Sequence, residues 1–173
     1  MIGYVCKYTP VEVFEAMGVE IRRIQPEVTN FNQADTLMHP NICSFTKSVL
    51  EDVLAGDYEG VVLTTCCDSI RRLYDVLKQQ CPDKFLYLLD VPRKVNDFST
   101  EMYRKNILDM VHAYEAFSGK TFDETVLKQL LKRREAGQNL RTAPKNKASV
   151  HIGLMGARCS KGIIDLLENR GVE

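Results

Sequence analysis

A chain of 173 residues can bury one sizeable core, and 45% apolar with 27% charged residues is a globular balance, not that of a disordered tail. Lys+Arg and Asp+Glu number 23 each, so net charge is zero, which excludes a strongly basic nucleic-acid or anionic-membrane surface; neither kind of partner is expected. No apolar run reaches the roughly 18–20 residues of a membrane span, and MIGYVCKYTP does not read as a signal peptide, so a cytoplasmic setting with reduced thiols is expected.

In chain order the pattern alternates strand and helix. Ile2 to Cys6 reads as a short strand. Thr9, Pro10 and Glu12 then form a helix start, with Thr9 as cap, Pro10 at the first helical position and Gly18 as the stop. Val19 to Ile24 reads as a second strand, followed by a polar loop. PNICSFTKSVLEDVLAG predicts a helix with Phe45, Val49, Val53 and Leu54 on one side and Gly56 at its end.

Gly60 to Thr65, GVVLTT, is apolar and β-branched, as suits a parallel strand buried on both faces. Asp68 or Ser69 opens the next helix, with Asp68 as its cap. Phe85 to Asp90 is another buried strand, stopped by Val91-Pro92. One helix spans about Ser99 to Phe117 and ends at Gly119. Another starts at TFDE, with a capping box of Thr121 and Glu124, and runs to about Glu135. GQNLRTAPKNKAS is a polar linker, VHIGLMG restarts the strand pattern, and Ser160 to Asn169 reads as a helix.

This alternation predicts an α/β fold: a parallel, doubly wound sheet of flavodoxin or Rossmann type, with a helical segment and the start of a second α/β domain. The expected division is 1–97 for the first α/β domain, 98–148 for the helical segment and linker, and 149–173 for the beginning of the second domain. ENRGVE reads as a helix, its glycine stop and the first residues of a further strand, so the chain is expected to be a fragment.

Six cysteines in a reducing compartment point to metal binding, redox chemistry or burial. In a doubly wound sheet the carboxyl ends of the strands form one rim, where ligands bind. Cys6 closes the first strand, Cys66 and Cys67 follow the third, and Cys159 follows the strand that opens the second unit. Cys43 begins a helix, and helix beginnings lie at the same rim. Cys81 ends the helix that Cys67 begins, more than about 15 Å away at a rise of 1.5 Å per residue.

Any one of these cysteines alone reads as core filler; the set of four or five reads as a metal site. Thiolates at helix N-termini are favoured by the dipole and by free N–H groups. They are what soft metals and iron–sulfur clusters require. Zinc would bring close C-x₂₋₄-C pairs, and none is present.

The bland readings stand beside this one. His112 falls mid-helix and reads as structural, His151 as packed in a strand, and His39 as an ordinary loop residue. Tyr4, Lys7 and Tyr8 are placed to line the crevice or to pack. Arg71 and Arg72 read as solvated helix charges.

HPNICSFTKSVLEDVLAGDYEGVVLTTCCDSIRRLYDVL, followed by FLYLLDVPR, resembles the 2-hydroxyacyl-CoA dehydratase and benzoyl-CoA reductase family. The shared features are a cysteine before a KS helix, a strand ending in Cys-Asp and a strand ending in Asp-x-Pro. AFSGKTFDETVLKQLLKRR and GLMGARCSKGIIDLLENRGVE are also similar to segments of that family. The resemblance implies the iron–sulfur subunit of a radical 2-hydroxyacyl-CoA dehydratase or low-potential reductase, akin to the 2-hydroxyglutaryl-CoA dehydratase D-component. It implies a 4Fe–4S cluster fed single electrons by an ATP-hydrolysing activator protein, a second subunit or a homodimeric copy, and an acyl-CoA substrate. In the dehydratases the electron makes a ketyl radical that expels the hydroxyl.

Cys43 and Cys67 match two family ligands, and a third is expected beyond Glu173. Cys66 doubles the Cys-Asp motif, and Cys6 and Cys159 are further thiols. These suit the branch that holds a double-cubane cluster and does not need an acyl-CoA. On that branch the alternative is a non-catalytic electron-transfer module or a cluster protein acting on another small molecule. The expected cluster-binding set is thus Cys43, Cys67, Cys66, Cys6 and Cys159, with Cys43, Cys66 and Cys67 as the direct metal ligands.

Overall fold

The computed structural model describes residues 1–27, 30–138 and 161–171. The chain divides into two compact units, Met1–Lys132 and Arg133–Glu173. The first is an α/β unit. Its sheet is built from β1 (Ile2–Tyr4), β2 (Ile21–Arg23), β3 (Gly60–Thr64) and β4 (Phe85–Leu89) in the spatial order β2-β1-β3-β4. All three pairings are parallel, with Tyr4 opposite both Arg23 and Val62, and Val62 opposite Tyr87.

β3 is buried at every position, as its unbroken apolar run requires. Alternate side chains of this central strand feed two cores. Val61 and Leu63 join the core formed with α2 (Asn32–Leu37), α3 (Ser44–Ala55) and α4 (Asp68–Gln80). Val62 and Ile2 join the core formed with α1 (Val11–Ala16) and α5 (Asp97–Ser118). Helices on both faces of a parallel sheet make the unit doubly wound, as the sequence predicts.

Several local expectations are corrected. α1 is preceded by Pro10 as its N-cap, and no side chain caps it; the Thr9 hydroxyl is buried without a hydrogen-bond partner. Cys67, not Asp68, occupies the N-cap of α4, and Asp68 is an exposed residue of its first turn. The helix α6 (Glu124–Gln138) is capped by Asp123, whose carboxylate accepts from Thr125 N at 2.7 Å and Val126 N at 3.4 Å, in place of Thr121. α5 starts two residues before the predicted Ser99, because the Asn96 side chain accepts from Ser99 N at 2.8 Å. It ends at Gly119, whose φ of 70° is a left-handed conformation that glycine adopts without strain.

α2 lies inside the segment read as a polar loop. Phe31 gives it no side-chain cap. Instead Glu51 of α3 accepts from Gln33 N and Ala34 N at 2.7 and 2.8 Å, and Lys47 pairs with Asp35 at 2.6 Å. His112, read as structural, is an exposed residue of α5, and His151 lies outside the described residues. In the second unit the described residues form the end of α6 and α7 (Lys161–Glu168).

Candidate functional site

In a sheet ordered β2-β1-β3-β4, the winding direction reverses between β1 and β3. The helix after β1 packs on one face and the helix after β3 on the other, which leaves a crevice at the carboxyl ends of these strands. Cys6 lies two residues past β1, and Cys66 and Cys67 lie two and three residues past β3. Cysteines thus flank the switch point from both sides. The five described cysteines, Cys6, Cys43, Cys66, Cys67 and Cys81, are free thiols. Cys159 lies outside the described residues.

Two of these thiols occupy equivalent positions. Cys43 is the N-cap of α3 and Cys67 the N-cap of α4; both are exposed and extended. Their carbonyls accept the first helical hydrogen bonds, from Lys47 N at 3.2 Å and Arg71 N at 3.3 Å. The Cys43 thiol meets the Thr46 hydroxyl at 3.2 Å. Burial alone would raise the Cys43 thiol, but the Thr46 hydroxyl and backbone, with the Ser69 hydroxyl and Phe45 backbone, outweigh it and hold the pKa below the ordinary thiol value. Ser69 belongs to the first turn of α4, two residues after Cys67, so Cys43 approaches the start of the helix that Cys67 caps.

Cys66 behaves oppositely. Partial burial pushes its thiol up, and the neighbouring Cys6 and Cys67 thiolates add like charge in the same direction. The Thr64 hydroxyl opposes this rise but sits too loosely for a proper hydrogen bond, since Thr64 Oγ1 is buried without a partner. Cys81 is the C-cap of α4 at the far end, buried in the core. Among the described residues, no group of three or more His, Cys, Asp and Glu side chains is placed to hold a metal ion.

The turn that carries Cys66 and Cys67 is tied down by its predecessor. Thr65 N donates to Leu89 O at 3.0 Å, the Thr65 hydroxyl donates to Asp90 Oδ1 at 2.5 Å, and Val91 N donates to Thr65 Oγ1 at 3.2 Å. Asn106 Nδ2 of α5 donates to Asp90 O at 3.1 Å. The sequence reading missed this clamp, although a threonine and an aspartate ending neighbouring strands at one rim were the available signal.

A cavity of about 510 Å³ opens beside the turn, lined among others by Cys6, Tyr8, Thr65 and Cys66. Its other wall is the β4–α5 loop and the start of α5, including Arg93, Lys94, Ser99, Thr100 and Tyr103. The Tyr103 hydroxyl donates to Tyr8 O at 2.7 Å, which closes this wall against the loop after β1. Tyr8 therefore lines the crevice, while Arg72 pairs with Asp75 as a solvated helix charge. Cys43 and Cys67 do not line this cavity.

The model of the family described as 2-hydroxyglutaryl-CoA dehydratase, D-component, matches residues 6–150. An (R)-phenyllactyl-CoA dehydratase beta subunit from Clostridium sporogenes is 29% identical over 138 residues, covering 75% of this chain. A benzoyl-CoA reductase subunit from Thauera aromatica is 25% identical over 138 residues, covering 76% of this chain. The chain spans 36% of the length of each of these relatives.

Proposed function

The chain belongs to the 2-hydroxyglutaryl-CoA dehydratase D-component family, and from that premise we propose that it supplies part of the iron–sulfur site of an ATP-activated dehydratase or reductase component. Cys43 and Cys67 would hold the cluster, with Cys66, the residue before Cys67, as a further ligand. Cys6 and Cys159 complete the expected set. The observation that carries this reading is the matched position of Cys43 and Cys67, each an exposed thiol at the N-cap of a helix on the same rim, with Ser69 of the second helix reaching the thiol of the first.

The donor chemistry fits. Cluster irons take thiolates, and the Cys43 thiol is already biased toward that form. A bound 4Fe–4S cluster would supply single-electron chemistry at low potential. The protein groups do the rest. Thr46 and Ser69 orient the Cys43 sulfur. The first-turn N–H groups of α3 and α4 favour negative charge beside both sulfurs. The Thr65–Asp90 clamp fixes the turn that presents Cys67.

On this reading the electron source is an ATP-hydrolysing activator protein, a second subunit or copy completes the assembly, and an acyl-CoA is the substrate. The third ligand comes from outside the described residues.

The test is iron and acid-labile sulfide per chain after anaerobic purification. Cys43→Ala and Cys67→Ala are expected to lower both, and Cys81→Ala to leave them unchanged. Equal iron in all three variants, or none in the parent chain, would defeat the reading.

A further inference from the structure

The cavity beside the switch-point turn is lined by charge of one sign. The β4–α5 loop puts Arg93 and Lys94 on its wall, and none of its lining residues is an aspartate or glutamate. Among the described residues neither cation makes an ion pair. Lys7, in the loop after β1, adds a third cation: its Nζ stands 5.1 Å from the ring centroid of Tyr8, which lines the cavity. The neighbouring carboxylates stand outside the lining. Asp90 is engaged by the Thr65 hydroxyl, and Glu12, whose charge reaches Tyr103, belongs to α1. In a chain of zero net charge this is a local concentration of positive charge. Cations around a concave wall focus the field inward and gather anions.

The remaining wall separates into hydroxyls and apolar surface. The hydroxyl protons are committed within the protein: Ser99 and Thr100 donate to Asn96 Oδ1 and O at 2.8 and 2.9 Å, and Tyr103 donates to Tyr8 O at 2.7 Å. The free donors of the wall are therefore the two cations. Pro92 and Val95 supply apolar surface, and Tyr8 and Val95 are 58% and 99% exposed, so a ligand body can cover them. The volume of about 510 Å³ falls within the roughly 300–1,000 Å³ of small-molecule sites.

We propose that this cavity binds a small organic anion, a phosphate ester with an apolar or aromatic body. The planar fork of Arg93 suits two phosphate oxygens at once, and Lys94 adds a point charge beside it. The body rests on Tyr8, Pro92 and Val95. A phosphate ester suits the wall better than a carboxylate, because it carries about −1.5 to −2 charge at pH 7 and several cations meet it. The residues that carry this inference lie in the loops after β1 and β4, and none of them is a proposed cluster ligand. The site therefore stands or falls apart from the iron reading.

The experiment titrates the reduced, ¹⁵N-labelled full chain with phenyl phosphate and follows the amide resonances. Inorganic phosphate offers the anion without the body, phenylacetate the body with a carboxylate, and benzylamine the body with the opposite charge. Phenyl phosphate is expected to saturate, to move the amides of Tyr8, Cys66, Val95 and Thr100, and to bind several-fold tighter than the other three. That map comes from the unsubstituted chain and needs no variant to fold. Arg93→Gln with Lys94→Gln should weaken phenyl phosphate about tenfold and benzylamine not at all, while Arg93→Lys with Lys94→Arg should keep most of the affinity. Iron per chain, measured on the same sample, reads the cluster separately. No saturation, shifts confined to other surfaces, equal affinity for benzylamine, or unchanged affinity in the glutamine variant would overturn the site. Phenylacetate bound as tightly would overturn the phosphate, and inorganic phosphate bound as tightly would overturn the apolar body.

Discussion

Thr65 offers the sharpest test of how the rim is held together. Replacing it with valine keeps the side chain's shape in a position only 7% exposed and removes its hydroxyl. The hydroxyl's donation to the Asp90 carboxylate at 2.5 Å and its acceptance from Val91 N at 3.2 Å are both lost. A hydrogen bond to a charged group contributes about 1.5–3 kcal/mol. Because Asp90 is itself exposed, the lower end applies, about 1.5 kcal/mol. The Val91 N–H is left without its acceptor in a half-buried loop, which costs about 1 kcal/mol more.

The sum is about 2–3 kcal/mol, and at about 2–4 °C per kcal/mol for a chain of this size the melting temperature should fall by about 4–12 °C. Urea unfolding of Thr65→Val beside Thr65→Ser measures it. Serine keeps the hydroxyl and should recover most of the loss. A valine variant within about 0.5 kcal/mol of the parent chain, the scale of an ordinary surface substitution, would refute the clamp.

The thiols should also differ in reactivity. With Cys43 held below the ordinary thiol range and Cys66 above it, iodoacetamide should alkylate Cys43 at lower pH than Cys66. Thr46→Val should slow Cys43 at neutral pH; peptide mass spectrometry across a pH series reads both effects. Gly60→Ala should destabilise the sheet by about 1–3 kcal/mol, since an added Cβ would overlap the carbonyl oxygen and Cβ of Phe85 on β4. Thermal melts would show this, and an unchanged melting temperature would contradict the β3–β4 register.

Tyr58 and Tyr114 are both pushed up to about 12. For each the leading cause is burial, followed by the carboxylates that accept their hydrogen bonds, Asp52 and Glu59. A folded pKa above the unfolded value of about 10 contributes stability that is fully present below pH 10 and lost as pH rises toward 12. Urea midpoints should therefore fall over that window. Tyr58→Phe with Tyr114→Phe should flatten the fall.

The four strands and the larger helices were legible in local patterns. GVVLTT has no polar face, so it had to be buried on both sides, and Gly18 and Gly119 mark the ends of α1 and α5 with left-handed backbones. α2 was not legible, because its N-terminal amides are capped by Glu51 from another helix and its Asp35 is held by Lys47. Nothing within NQADTL announces those partners. The caps at Thr9 and Thr121 failed for a related reason. Several nearby side chains can reach a free N–H, and packing decides which one does; for α6 it is Asp123.

By itself the sequence determined that thiols fall just past strand ends and at helix starts, since hydrophobic runs and helix signals are read over a few residues. Only the tertiary structure decided how those thiols divide. Strand order put Cys6 and Cys66 on one cavity at the switch point, and helix packing turned Cys43 toward the start of α4. Such pairings join residues tens of positions apart, and pairing energy between distant strands leaves no mark in either strand's own pattern.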